Sequence, residues 1–164
     1  MVWNMIQLLF PLLQVFLPLC LYRKTGRRMT RFYMMMLGLE NARRFYVRLL
    51  VIFLLLFHFV YVGANPGEYG VLLSTVLSVL LYRFNRADRW LHRLHESRKT
   101  FAACALPAVA AAFIPHLYTT AVTVGTVLLA ALFYPSSAAL DGYKEKETRE
   151  RWRKHPEVLS GCYY

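Results

Sequence analysis

Residues 101–135 read FAACALPAVAAAFIPHLYTTAVTVGTVLLAALFYP, 35 positions with no Asp, Glu, Lys or Arg. As one helix they would extend about 52 Å at about 1.5 Å per residue, against a bilayer hydrocarbon core of about 30 Å. That is too long for one crossing without extreme tilt. Pro115-His116, followed by Thr119-Thr120, marks a break, because proline lacks the backbone donor that a helix needs. The stretch therefore predicts two short crossings, about 101–114 and 119–135, or a re-entrant hairpin. Either form returns the chain to the side it left. Residues 110–112, all alanine, and Gly125 allow close backbone approach.

The preceding segment, residues 83–100 (RFNRADRWLHRLHESRKT), is the long polar stretch with apolar blocks on both sides. At about 100° per residue, Phe84, Ala87, Trp90, Leu91 and Leu94 share an arc of roughly 120°. Arg86, Arg89, His92, Arg93 and Glu96 fall opposite. Asn85 with Asp88 is a helix start signal. A basic amphipathic helix on a membrane surface is expected. Phe84, Trp90, Leu91 and Leu94 would meet lipid, and Arg86, Arg89 and Arg93 would meet headgroups or a docking protein.

Further out, residues 2–22 form an apolar run long enough to span. A secretory signal is excluded by polarity, since no cation precedes the run and Arg23, Lys24, Arg27, Arg28 and Arg31 follow it. It reads as an uncleaved span, kinked or shortened by Pro11 and Pro18. Residues 23–44 are basic at both ends around a Met-rich centre, predicting an interfacial helix or one resting against the bundle. Met34, Met35 and Met36 point about 100° apart on a helix and cannot converge on one soft metal ion. Residues 45–64 form a second span, with Arg48 snorkelling and His58 deep inside. Asn65, Pro66, Gly67 and Glu68 have turn chemistry. Residues 69–84 form a marginal third span relying on Arg83, with Ser74 and Ser78 as a small polar stripe for helix packing.

Residues 136–164 read as a soluble tail. Glu145/Arg149, Glu147/Arg151 and Glu150/Lys154 are acid-first i,i+4 pairs, predicting a short charged helix that ends before Pro156. Only two residues follow Cys162, so no prenylation box closes the chain.

Charge distribution fixes the expected topology. Eight Lys and Arg lie within residues 23–48, six within 83–99 and six within 144–154, which is all twenty. The segments assigned to the opposite side carry none. By the positive-inside rule this is an all-α membrane protein: a five-span helical bundle, N-terminus out and C-terminus in. Spans at about 2–22, 45–64, 69–84, 101–114 and 119–135 make residues 1–135 a transmembrane domain and 136–164 a cytoplasmic tail. Trp3, Tyr22, Tyr46, Tyr61, Tyr69, Tyr82, Trp90, Tyr118 and Tyr134 fall near span ends, as interfacial belts require. Apolar residues make up 57% and the formal charge is +11. With the charge set between apolar runs rather than on a soluble fold, nucleic acid is excluded as a partner.

No metalloprotease helix motif, nucleophile with a recognisable base or phosphate loop is present. Neither a catalytic set, a metal site nor a cofactor is expected. Cys20, Cys104 and Cys162 are too scattered for a zinc site or disulfide framework. His92 and His95 are two ligands without a third, and His116 is alone in its turn. Of the intramembrane polar residues His58, Ser74 and Ser78, His58 is the deep ionisable one, expected to hydrogen-bond Ser74 or Ser78 across the hairpin. No intramembrane Asp or Glu is present, which counts against proton-coupled transport.

The expected function is that of a non-enzymatic accessory or interaction protein of a bacterial-type inner membrane, a scaffold or an immunity or exclusion factor. It would present Arg86, Arg89, Trp90, Arg93, Arg149, Arg151 and Arg153 to anionic lipid or to a membrane or cytoplasmic protein. The alternatives are a small channel or transporter, which would need a homo-oligomer, and a membrane-embedded enzyme.

Overall fold

In a computed structural model the described residues form ten α-helices and no strand. Residues 2–68, 70–82, 84–114 and 116–164 are described, without the side chains of 2–4, 6–8, 10, 11, 15, 19, 81, 82 and 84–86. Of the residues singled out above, Tyr69, Arg83 and Pro115 therefore lie outside the described residues. So do the side chains of Trp3, Pro11, Tyr82, Phe84, Asn85 and Arg86.

The order is α1 (Val2–Leu21), α2 (Arg27–Gly38), α3 (Glu40–Ala64), α4 (Gly70–Tyr82) and α5 (Phe84–Glu96). It continues with α6 (Arg98–Ala111), α7 (Tyr118–Leu132), α8 (Ser137–Gly142), α9 (Lys146–Lys154) and α10 (Pro156–Tyr163). The opening stretch does break into two helices that pack on each other, α6 and α7. The amphipathic segment is shorter than the periodicity implied. Ser97 ends it by accepting a hydrogen bond from the Thr100 amide at 3.2 Å, so residues 98–100 start α6.

α7 is the centre, touching α1, α3, α4, α5 and α6. Its buried positions are small or β-branched, among them Thr119, Ala121, Thr123, Thr126, Ala130 and Ala131, so five neighbours can approach its backbone. Two threonine hydroxyls are satisfied within the helix, Thr123 donating to the Thr119 carbonyl at 2.8 Å and Thr126 to that of Val122 at 2.8 Å, whereas the buried hydroxyls of Thr119 and Thr120 have no partner among the described residues. Gln14 of α1 donates to the Thr126 hydroxyl at 2.7 Å and to the Val122 carbonyl at 3.0 Å. Gly125 makes room for it, since a Cβ there would lie 2.5 Å from Gln14 Oε1.

Two apolar clusters divide the bundle lengthwise. One, at the end with the turns, joins Leu54, Phe57, Tyr61, Val71 and Val122. The other, at the basic end, joins α2, α5 and α7 to α8, α9 and α10 through Tyr33, Leu91, Tyr134, Trp152, Leu159 and Tyr163. The side wall has the opposite character. Phe59 is 78% exposed, Leu72 70%, Leu106 72% and Phe113 84%, with further large apolar side chains along α1 and α3.

Among the described residues, two stretches are long and apolar enough to cross a membrane, Glu40–Ala64 and Tyr118–Gly142, the second running from α7 into α8. α4 and α6, with 13 and 14 residues, reach only about 20 Å of helix. Five full-length spans are therefore not what the helix lengths give.

Three expectations need correction. Ala87, Leu91 and Leu94 are buried against the bundle, so of the described α5 side chains assigned to lipid only Trp90, 57% exposed, faces outward. A helix that can bury its stripe on protein gains packing contacts that lipid does not offer. Residues 136–164 are no free tail. Trp152, Leu159 and Tyr163 belong to the core, because three short helices with apolar residues on one side each have a face to bury. α9 forms as expected, ending before Pro156, but none of its three i,i+4 pairs is among the ion pairs of the described residues.

Candidate functional site

At the basic end, α2, α3, α5 and α8 surround a polar cavity of about 530 Å³ lined by Arg43, His92, Glu96, Ser137, Asp141 and Lys144, among others. Each element is there for a local reason. α2 stops at Leu39, whose extended backbone turns the chain into α3. Arg43, one turn into α3, donates to the Met36 and Leu37 carbonyls at 2.8 and 3.4 Å, capping the end of α2. Gly38 leaves space for Tyr143, whose hydroxyl oxygen a Cβ would meet at 2.6 Å.

α5 projects a polar row, Asp88, His92 and Glu96, spaced by four residues and therefore on one face. The first two meet Tyr134 and the third meets α8. Asp88 accepts a short hydrogen bond from the Tyr134 hydroxyl at the end of α7. The His92 ring lies edge-on to Tyr134 with centroids 5.0 Å apart, and its Nε2 is 3.8 Å from Asp88 Oδ1. Glu96 accepts from both the hydroxyl and the amide of Ser137, the first residue of α8. These bonds hold its carboxyl below the usual range, and a carboxylate at a helix start is also favoured by the helix dipole. The opposite signs on Lys144 and Asp141 are neutralised at 2.6 Å.

This constellation binds α5 to α7 and α8 rather than activating a nucleophile. Ser137 donates to a carboxylate that its own bonds have made a weaker base. Among the described residues no hydrogen bond joins it to His92. No group of three His, Cys, Asp or Glu that could hold a metal occurs among the described residues. His92 and His95 turn to different partners, His95 meeting the Ala131 carbonyl at 2.9 Å.

Burial holds His92 below its usual pKa, opposed by the carboxylates of Asp88 and Glu96 and reinforced by Arg43. Its Nδ1 is buried without a partner, so a second ring proton would have no acceptor, which acts in the same direction. The unfolded chain takes up that proton near pH 6.5. The stability contributed by neutral His92 is therefore present above about pH 6.5 and is lost as pH falls below it. Thermal unfolding in detergent should show a falling melting temperature from about pH 7 to pH 5, and His92→Gln should flatten it. An identical fall in the variant would assign the effect to another group.

The residues expected to be functional are scattered over the molecule. His58 is buried and hydrogen-bonds a neighbouring helix as expected, but its partner is Thr123 of α7, at 3.1 Å, instead of a serine of α4. Ser74 and Ser78 are fully buried and donate to carbonyls of their own helix, Val71 at 3.0 Å and Ser74 at 2.8 Å. Arg89 and Arg93 are exposed beside Trp90. Arg151 and Arg153 are exposed on α9, while Arg149 is half-buried with its guanidinium 5.5 Å from the Tyr143 ring centroid. Arg86 has no described side chain.

Sequence reading missed Gln14, Arg43 and the contacts of Asp88 and Tyr134. The four-residue spacing of Asp88, His92 and Glu96 was available as a signal. Gln14 was the one amide inside a span-length helix apart from its first turns. No protein family, curated protein or solved structure matches the chain.

Proposed function

We infer that the chain is an integral membrane protein of five membrane-embedded segments, and that its basic end is a cytoplasmic cap presented to anionic lipid or to a partner protein. It acts as a non-enzymatic accessory or interaction protein of a bacterial-type inner membrane. The observation that carries this reading is the juxtaposition of two surfaces. A wall of exposed large apolar side chains on α1, α3, α4 and α6 adjoins an end where Arg27, Arg28, Arg31, Arg93, Lys99, Arg151 and Lys154 are exposed. Monomeric soluble proteins rarely expose contiguous apolar patches beyond a few hundred Å², and exposed cations near an anionic leaflet contribute up to about 1 kcal/mol each. α4 and α6, short for a span, sit within the bilayer if their basic ends snorkel and the membrane thins locally.

The alternative of a channel would need His58, Ser74 and Ser78 on a water path. All three are buried, Ser74 and Ser78 bonding carbonyls of their own helix and His58 Nε2 bonding Thr123, while His58 Nδ1 has no partner among the described residues; this burial favours packing. The polar cavity at the cap gives a membrane enzyme its one supporting observation, offset by the weakened base at Glu96.

The test keeps the cap folded and changes its charge. Full-length protein and Arg89/Arg93/Arg151/Arg153→Glu are captured from native membranes in mild detergent. The reading expects a co-purifying protein or bound anionic lipid with the first and its loss with the second. Lone, lipid-free purification of both would overturn it, and release of the wild type by alkaline carbonate would overturn the membrane assignment.

A further inference from the structure

The wall between α4, α5, α6 and α7 contains a cavity of about 340 Å³. α5 contributes Ala87, Trp90 and Leu94, α6 contributes Cys104, and α7 forms the back with Val124 and Val127. The hydroxyl in the lining, that of Thr123, is already bonded to the Thr119 carbonyl at 2.8 Å. A space lined this way does not hold water and takes apolar ligands.

The rim supplies the other half of a recognition site. At about 100° per residue, Ala87 and Leu94 lie to one side of Trp90 on α5, and the positions of Arg86 and Arg93 to the other. The acidic residues of the same helix are engaged elsewhere, Asp88 with Tyr134 and Glu96 with Ser137. An amphiphile with its apolar part in the cavity would thus meet cations beside Trp90.

We propose that this cavity seats one acyl chain of an anionic phospholipid of the surrounding bilayer, with the headgroup on the arginine side of α5. The proposal rests on the membrane reading above and adds a specific lipid site to it. The chain fills a space that bulk water would leave dry, and the arginines select the headgroup sign. Trp90, at the boundary of the two faces, sits at headgroup depth, where tryptophan is enriched.

The experiment uses the full chain in nanodiscs of mixed phosphatidylcholine and phosphatidylglycerol, with a photoactivatable group midway along an acyl chain of one lipid at a time. Phosphatidylglycerol adducts are expected to concentrate on peptides containing Trp90, Cys104 and Val124, and Val124→Phe should reduce them about tenfold. Cys104→Phe fills the cavity from the opposite wall and should do the same, so the outcome does not depend on one variant folding. Adducts at Leu72 and Phe113, exposed away from the cavity, should persist in both. Arg93→Gln should reduce the preference for the anionic lipid. Cavity adducts unchanged in a filled variant that melts like the wild type would overturn the proposal, as would equal labelling by the two lipids. If labelling at Leu72 and Phe113 is also absent, the membrane reading fails with it. If labelling is confined to them, the lipid site alone falls.

Discussion

Gly70→Ala should abolish stable folding or lower the melting temperature by roughly 10 °C, at about 2–4 °C per kcal/mol for a chain of this size. Gly70 opens α4, and a Cβ there would lie 1.6 Å from the backbone oxygen of His116. A side-chain neighbour could rotate away; a carbonyl cannot without moving the turn. That turn is constrained already. His116 has φ 67°, and its Nδ1 is 3.1 Å from the Glu68 carboxylate, tying the two loops at this end of the bundle. Overpacking typically costs about 1–3 kcal/mol, and more when backbone must shift. Gly63→Ala is the control. It lies in the last turns of α3 with nothing within 4 Å of an added Cβ, so it should raise stability by about 0.5–1 kcal/mol through helix propensity. Equal melting temperatures for the two variants would show that α4 and the turn before α7 do not meet this closely.

Tyr163→Ala should cost about 3–5 kcal/mol, the range for removing a fully buried aromatic ring. Tyr163 is second from the end of the sequence given and is fully buried. Its ring centroid is 4.4 Å from that of Tyr33, and its hydroxyl donates to the Phe133 carbonyl at 3.0 Å. Tyr163→Phe keeps the ring and strands that carbonyl, so a smaller loss of about 1–3 kcal/mol is expected. Arg151→Ala, exposed on the neighbouring helix, should change stability by less than about 0.5 kcal/mol. A mobile tail would instead give three equal, near-zero results. Burial also pushes the Tyr163 phenol well above its ordinary pKa. Because its folded pKa is raised, its contribution is complete below the unfolded value near 10 and declines as pH rises past it. Alkaline unfolding should therefore begin above about pH 10 and shift in Tyr163→Phe.

That residues 101–135 form two helices was legible because proline chemistry and helix length are local properties, and α6 ends at Ala111 and α7 starts at Tyr118. The start of α6 was misplaced because Ser97 as a cap competes with an amphipathic period running through it. Gln14 was hidden inside an apolar run: its worth depends on Thr126 and Val122, 112 and 108 residues away. The polar cavity was invisible for the same reason. Arg43, His92 and Ser137 lie far apart in the sequence and acquire a common environment only when α3, α5 and α8 meet.

By itself the sequence determined the helical class, the punctuation between helices and the gathering of all twenty cations into three segments. These depend on residue type and spacing along one chain. The tertiary structure decided which face of α5 is covered, and that residues 136–164 belong to the core. An apolar stripe states only that something must cover it; whether lipid or protein does so depends on which other helices arrive with a complementary surface. For α5 and α10 that surface was protein, built by α7 and α2.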